Sequence, residues 1–466
     1  MNLSRNKNYN IKNIYKSSDL VIRTINKKIS YIFLESVSSD DKISDYLSKS
    51  LFTNYKKILN SKIKEIKTFE DVYFYLNSGF TIIFINGKNK ALAVETRETL
   101  DRGITEVSSE MGIKGPKDSF TENFNKNLGL IRKRIKDPNF KIKEYQVGRR
   151  SKTKVGIIYI EDIAYKENVN YIINKIKNID IDAILDTGYI RDFLTKNQKT
   201  VFPTIINTER PDLVCASLLE GKISIIVDNT PFVLVIPGLL NNFIHASEDS
   251  YQKALNVSFT RLIRLLAMVA TVFVPSFYVA VTTFNQEVIP DTLLISLAIQ
   301  RSSVPFPTSV AVFILMLTFE LLRESDIRLP EKMGTSISIV GALVLGDAAV
   351  SAGIVSPIVV IIVAISSVTG LLFSDTDLIN ALRYYKFLSL LLSSTMGLIG
   401  FTVSFLLMFI NLCSIESMGV PYLTPFTPLN IDALKDSLIM FPRYKMKKRA
   451  SYLTNNIKRI GESHEK

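Results

Sequence analysis

The sequence contains no tryptophan and only two cysteines and two histidines. Cys215 and Cys413 lie one in each half of the chain, which excludes a disulfide framework and a CxxC metal site. The histidines, His245 and His464, are too few for a histidine-rich metal cluster or for histidine-based catalysis. Because no nucleophile–base pair or ligand set can be assembled, we expect neither an enzyme nor a cofactor.

The N-terminal stretch MNLSRNKNYNIKNIYKSSDL has no apolar h-region, so we expect no cleavable signal peptide and a first domain that stays in the cytoplasm. Long apolar runs are confined to the second half of the chain, which predicts a soluble domain followed by a membrane domain. The net charge of +13 is then better explained by cytoplasmic Lys and Arg beside anionic lipid than by nucleic-acid binding.

The first half reads as α/β structure. Strand-like runs at Ile29–Leu34 and Val155–Ile160 are each followed by a polar loop, a helical pattern and later a hairpin with a turn at NGKN or DNTP. We predict a flexible polar arm over 1–28 and two related α/β subdomains, 29–138 and 139–240, from a duplication. The alternative is that any two α/β stretches look alike.

A helix is predicted between the two halves at Ser119–Ile135, with Asp118 or Ser119 as N-cap and three cations in its last turn. The loop Gly148–Thr153 lacks the GxxxxGK[ST] order and precedes a strand, so we read it as a basic interdomain or intersubunit surface and not as a nucleotide site. We hypothesise contacts between domains or between subunits of an oligomer for Arg149, Arg150, Glu209, Arg210 and Asp212.

In the second half we predict an interfacial amphipathic helix over 241–264, a transmembrane domain over 265–430 and a basic cytoplasmic tail over 431–466. The transmembrane domain should hold four to six helices plus a short re-entrant or flat segment, Pro290–Gln300. Five apolar segments are each close to spanning length: Leu265–Thr283, Val304–Leu322, Thr335–Ser351, Val355–Phe373 and Phe387–Asn411.

Five crossings would leave the cationic tail outside, whereas the positive-inside rule puts it with the N-terminal domain. We give the positive charge of the tail more weight than the number of predicted crossings. Either one segment is re-entrant, or the chain turns back after Asn411.

The stretch Met333–Phe373 is apolar on all faces and its first half is rich in Gly, Ala and Ser, which is typical of close helix packing in lipid. The same small residues could instead line a narrow pore. Asp347 could line a cation path or be a structural carboxyl. Glu320 is expected to pair with Arg323, and Glu287 to form a charged vestibule in a ring-shaped oligomer or to be a solvated loop acid. The candidate pore-lining residues are Gly334, Ser338, Gly341, Val344, Leu345 and Asp347.

Several motifs, in order, resemble the A subunits of bacterial spore germinant receptors, the GerA family, over roughly residues 30 to 445. Asp347 departs from the pattern, because many members have a neutral residue there. The motifs are Ile113–Pro116, Val147–Ser151, Glu209–Asp212, Leu219–Lys222, Val227–Phe232, Tyr278–Phe284, Val304–Pro307, Ser338–Gly346 and Gly419–Leu423.

The resemblance implies a multi-pass protein of the spore inner membrane that acts with a transporter-like B subunit and a lipoprotein C subunit. It also implies assembly into a ring, a pentamer, whose membrane part conducts ions. Two alternatives stay open: a non-conducting scaffold that couples a nutrient sensor to a separate channel, and the related spore-membrane paralogue with its own channel complex. A secondary transporter would need paired broken helices, and only Pro290–Gln300 offers one.

Overall fold

The computed structural model describes residues 17–26, 29–44, 63–85, 90–98, 110, 112, 114–328 and 346–459. The first part of the chain is α/β and the second is helical, so the predicted fold class holds at this level.

The first sheet is antiparallel throughout. Its strand order is β1-β2-β4-β5-β3. Helix α1, Phe69–Asn77, packs on it and is N-capped by the hydroxyl of Thr68. The strands are Leu20–Asn26 (β1), Ile29–Leu34 (β2), Ile63–Ile66 (β3), Phe80–Ile85 (β4) and Ala91–Glu95 (β5).

The second sheet has the corresponding order, β6-β7-β9-β10-β8, and is also antiparallel throughout. In both sheets the third strand goes to the far edge and a helix precedes the fourth. The strands are Phe140–Val147 (β6), Thr153–Ile160 (β7), Ile206–Thr208 (β8), Ile223–Val227 (β9) and Val233–Ile236 (β10). The helices are Phe124–Arg134 (α2), Lys166–Lys177 (α3), Thr187–Thr195 (α4) and Pro211–Glu220 (α5).

The two strands predicted to be equivalent hold the same place in their sheets. Ile29–Leu34 is β2, and Val155–Ile160 lies within β7, the second strand of the second sheet. This shared order supports the duplication, which stays a prediction. The NGKN turn at 86–89 and most of the helix predicted after β2 lie outside the described residues.

The prediction for the connecting helix was wrong at its start. Helix α2 begins at Phe124, and its N-cap is Asn123, whose side chain accepts a hydrogen bond from the Lys126 amide. Ser119 cannot cap it, because its buried hydroxyl donates instead to Glu209. The three cations do lie in the last turn of α2, as predicted. Arg132 is fully buried and pairs with Asp19 at 2.7 Å.

The helical part follows a short helix α6, Leu240–Ile244. Two of the described helices, α7 and α11, are long and apolar enough to cross a membrane. Residues 346–350 are also helical. The remaining helices are Ala254–Thr283 (α7), Asp291–Arg301 (α8), Thr308–Arg328 (α9), Pro357–Gly370 (α10) and Thr376–Ser414 (α11).

Helix α11 is a hairpin of two antiparallel arms, and the prediction of one segment at Phe387–Asn411 was wrong. Gly397 has φ 60° and ψ −136°, a conformation outside the helical region. The hydroxyl oxygens of Ser389 and Ser404 are 2.8 Å apart, whereas fifteen residues of straight helix would separate them by about 22 Å. The turn between the arms packs tightly against Phe284, because a Cβ on Gly397 would lie 2.6 Å from the Cβ of Phe284.

Small and hydroxylated residues hold the helices together. Ser389 also donates to Ser276 of α7, and Thr271 of α7 is 2.9 Å from the hydroxyl of Thr369 in α10. Such contacts let helix backbones approach closely without a hydrophobic driving force.

One hydrophobic core runs from the second sheet into the helices, and includes Ile158 and Ile226 of the sheet together with Met268 and Leu382 of the helices. Because this core is continuous, the sheet and the base of the helices pack as one body.

Residues 241–264 are divided among several elements and do not form the single interfacial helix that we expected. They contain α6, a 3-10 turn at Ser247–Tyr251 and the first turns of α7, which continues to Thr283 without a break. The reason is local charge pairing. Arg261 and Arg264 both turn back to Asp249, so the helix has no charged face that must lie flat in an interface.

We predict that Gly397→Ala destabilises the protein by about 1–3 kcal/mol for the backbone conformation alone, plus the contact with Phe284. The measurement is thermal unfolding of the purified full chain in detergent. The matched control is Gly419→Ala, which has φ +74° but no atom within 4 Å of the added Cβ. An equal loss of stability in the two variants would contradict the tight packing of Gly397 against Phe284.

Candidate functional site at the base of the helices

The predicted pore residues lie mostly outside the described part of the chain: this applies to Gly334, Ser338, Gly341, Val344 and Leu345. Asp347 is described, lies in helical residues 346–350 and is exposed. Glu287 is also exposed, in the 3-10 turn Gln286–Val288 that follows the far end of α7. The pore and vestibule roles of all these residues stay predictions.

Arg149 and Arg150 lie in the turn between β6 and β7. Their side chains are 68% and 85% exposed, and they pair with Asp180 at 2.5 Å and Asp182 at 4.0 Å. The loop is thus tied to its own subdomain and presents its charge to solvent. Its proposed role as an intersubunit contact stays a prediction.

The Glu209–Asp212 motif is buried and connects three segments of this chain. Arg210 is 1% exposed, and its guanidinium pairs with Asp212 at 3.0 Å. It also donates to the carbonyl oxygens of Glu110 and Pro116. Glu209 is buried beside Ser119. The structure brings Glu209, Arg210 and Asp212 together in an intrachain contact between segments, and their role between domains or subunits stays a prediction.

The same cluster reaches the approach to the first long helix. The hydroxyl of Tyr251, just before α7, donates to Asp212 at 2.6 Å. Gly115 lies flat against that ring, has φ +115°, and could carry no side chain, because a Cβ would approach the ring to 2.7 Å. This contact explains the glycine of the Ile113–Pro116 motif, a role that the sequence pattern alone did not reveal.

A second contact holds the hairpin α11 at both of its ends. Asp377, in the first turn of its first arm, pairs with Arg191 of α4 at 2.5 Å. After the second arm, Tyr422 is fully buried against Phe202 and Phe243, and Phe202 stacks on Tyr385 of the first arm. Tyr422 of the Gly419–Leu423 motif therefore makes an aromatic contact between the hairpin and the α/β part.

A third contact joins the base of α7 to the C-terminal part of the chain. Asp249 is buried and pairs with Arg261 at 3.2 Å and Arg264 at 2.8 Å. Arg261 also pairs with Asp436 at 3.4 Å and donates to the carbonyl oxygen of Ser437. Breaking such a pair would leave a buried charge uncompensated, so the contact should be rigid.

The C-terminal segment up to residue 459 is packed on the second sheet's helices and is not a free tail. Thr454 donates to the carbonyl oxygen of Ile163, and Arg449 to that of Leu219. Gly221 ends α5 in the left-handed conformation, and a Cβ there would meet the carbonyl oxygen of Leu453 at 2.7 Å. The glycine of the Leu219–Lys222 motif thus serves both as helix C-cap and as the docking point of this segment.

A cluster of charges lies between the helices, and the sequence pattern misassigned it. The carboxylate of Glu320 in α9 pairs with Arg383 and with the buried Lys386 of α11, each at 2.8 Å. The i,i+3 spacing had predicted Arg323 as its partner. That prediction was wrong, because the first arm of α11 packs across α9 and brings two cations to this carboxylate.

Two buried acids near the base have raised pKa values. Burial raises the pKa of Glu110 to about 7, while its hydrogen bond from Thr208 and the nearby Arg210 lower it. Burial likewise raises the pKa of Asp375, which N-caps α11, to about 6.

Within the described ranges, no group of three or more His, Cys, Asp or Glu side chains could hold a metal ion. What the arrangement offers is mechanical and electrostatic. A hydrogen bond from Tyr251 links the approach to α7 with the α/β part, the Arg191–Asp377 ion pair links α11 with it, and Glu320 links α9 to α11.

Comparison with known proteins places these features in context. The sequence model of the family described as Bacillus/Clostridium GerA spore germination protein matches residues 8–452. Spore germination protein KA of Bacillus subtilis (strain 168) is 38% identical over 387 residues, covering 83% of this chain and 71% of that protein. Uncharacterized membrane protein YfkQ of the same organism is 36% identical over 371 residues, 80% of this chain and 72% of that one.

Among solved structures, the N-terminal domain of the A subunit of the Bacillus megaterium spore germinant receptor GerK3 is similar to this chain. Its sequence is 33% identical, and the match covers 51% of this chain and 96% of that one with a TM-score of 0.39.

We predict that Glu320→Gln lowers the free energy of unfolding by about 3–5 kcal/mol, because two cations lose their shared partner in a largely buried site. Thermal unfolding in detergent measures the loss. Glu320→Gln combined with Lys386→Met should lose less than the sum of the two single variants. Glu287→Gln, at an exposed carboxylate, is the matched control and should change little. A loss no larger than that of the control would contradict the role of this ion cluster.

We also predict that Glu110 makes stability fall as pH rises from about 4.5 to about 7. The unfolded chain loses this proton near the ordinary value of 4.5 and the folded chain near 7. The folded form therefore binds more protons in that window, and above it no further loss follows. Glu110→Gln should flatten the pH dependence of the melting temperature relative to wild type. The exposed Glu122→Gln should leave the slope unchanged, and an unchanged slope in Glu110→Gln would refute the prediction.

Proposed function

This chain belongs to the Bacillus/Clostridium GerA family of spore germination proteins, and from that premise we propose that it is a membrane subunit of a nutrient germinant receptor that triggers spore germination. In this proposal the subunit acts in the spore inner membrane with a transporter-like B subunit and a lipoprotein C subunit. Copies of the chain form a ring, a pentamer by family resemblance, that releases monovalent cations when nutrient binds.

The direction of the helices supports an even number of crossings. Helix α7 and the first arm of α11 run away from the α/β part, and Gly397 at the hairpin turn lies against Phe284 after the far end of α7. The second arm returns to Tyr422 at the base. With one crossing through the range 335–351, the count is six, and the cationic C-terminal segment lies on the cytoplasmic side with the α/β part. The hairpin thus removes the conflict between five segments and the positive-inside rule.

The observation that carries the proposal is the set of charged and aromatic contacts at the base, of which the Tyr422 contact is buried. They tie α7 and both ends of α11 to the α/β part, through Tyr251–Asp212, Arg191–Asp377 and the Tyr422 aromatic group. A shift of the α/β part therefore moves these helices with it. Gating requires in addition that the nutrient-bound state favours the open ring by differential binding free energy.

In the proposed ring, the Gly and Ser face of Thr335–Ser351 lines the pore and Glu287 forms a charged vestibule. The exposure of Asp347 and Glu287 in a single chain supports this arrangement, because both carboxylates are available to a neighbouring subunit or to a central axis. Rings of acidic side chains make a channel selective for cations.

The test is monovalent cation flux from liposomes that contain the full chain with its B and C partners. We expect nutrient-dependent flux that changes in Val344→Ala or Asp347→Asn. Arg191→Gln should weaken the dependence of flux on nutrient, because it breaks the ion pair that holds α11. Arg150→Gln is the matched control, since it removes an exposed arginine of the same α/β part.

Nutrient binding without flux in any combination would refute the channel and favour the non-conducting scaffold. Flux that is insensitive to both pore substitutions would refute the assignment of the pore to Thr335–Ser351.

A further inference from the structure

A cavity of about 270 Å³ opens between α9, α10 and the first arm of α11. It lies beside the ion cluster of Glu320 and is bounded by side chains of three kinds: apolar, hydroxylated and charged. The hydroxylated ones are Thr271 of α7 and Ser366 and Ser367 of α10. The apolar ones are Phe319, Leu322, Val368, Leu371, Ile379 and Leu382, and the charged ones are Glu320, Arg323, Arg383 and Lys386.

The charge in the cavity is unbalanced. Both oxygens of the Glu320 carboxylate are already taken, one by Arg383 and the other by Lys386. One carboxylate against three cations leaves the lining with excess positive charge. In a site walled by apolar side chains, such an excess is costly unless an anion supplies the missing charge.

The position of the cavity indicates which kind of anion this is. Arg383 follows Asp377 by six residues, about 9 Å along the helix, and Asp377 is bound to Arg191 of the α/β part. The cations thus lie a short distance inside the base of the helices. Leu371 and Val368, at the mouth, are exposed on the outer surface of the helices.

We propose that this cavity binds an anionic phospholipid of the leaflet on the α/β side. Its phosphate is bound by Arg323, Arg383 and Lys386, and an acyl chain lies along Phe319, Leu371 and the other apolar walls. Basic pockets between helices on the cytoplasmic side are suited to anionic headgroups. This inference rests on the membrane placement proposed above. Because the phosphate bridges α9 and α11, the bound lipid would strengthen the same contact that Glu320 makes.

The test is native mass spectrometry of the full chain released from bilayers of equal phosphatidylglycerol and phosphatidylcholine. We expect wild type to retain phosphatidylglycerol preferentially. Arg323→Gln should reduce this preference about fivefold, at about 1 kcal/mol for each cation, and Arg383→Lys should largely keep it. Ser367→Leu fills the cavity without changing any charge and should also reduce the preference. The matched control is Lys445→Gln, which removes an exposed cation of the C-terminal segment.

Equal retention of the two lipids by wild type, or an unchanged preference in both Arg323→Gln and Ser367→Leu, would overturn the site. Displacement of phosphatidylglycerol by millimolar inorganic phosphate would also overturn it, because the headgroup alone would then suffice. Flotation of the protein with the same vesicles separates the two proposals. Failure to float refutes the membrane placement, whereas flotation without lipid preference refutes the lipid site alone.

Discussion

The rest of the structure depends on the pairing of buried arginines with acceptors from other segments of the chain. Arg210, Arg261 and Arg132 are each almost completely buried, and each is matched by an aspartate and by further acceptors from a distant part of the chain. A buried guanidinium without its partner would cost several kcal/mol, so these pairs fix which segments must meet. They select one relative placement of the two sheets, the helices and the C-terminal segment.

The pairing also explains how the helical part can be both packed and responsive. Within it, contacts between serine and threonine hydroxyls and one ion cluster add to the apolar packing of the helices. Glu320 joins α9 to α11, and α11 is in turn held at both ends by the α/β part. A displacement of the sheet at Arg191 would therefore reach Glu320 through a single helix arm. Asp375, whose pKa is raised by burial, is the N-cap of that arm.

Much of the architecture could be predicted from local pattern. The strand at Ile29–Leu34 and the one beginning near Val155 follow from β-branched apolar runs, and the break between an α/β half and an apolar half follows from hydropathy. The hairpin in α11 could not be predicted in this way. Gly397 lies within one uncharged apolar run, Phe387–Asn411, and a glycine within such a run is as compatible with a straight helix as with a reversal.

The sequence by itself determined an α/β first part, a helical second part and membership of a family through motifs in order. Only the tertiary structure decided what those motifs do. Gly115 is required by the ring of Tyr251, Gly221 by the backbone of Leu453, and Glu320 pairs with Lys386 instead of Arg323. The physical reason is that hydropathy and spacing report a residue's neighbours along the chain. Burial, charge pairing and close backbone approach depend on other segments, some of which lie more than two hundred residues away along the chain.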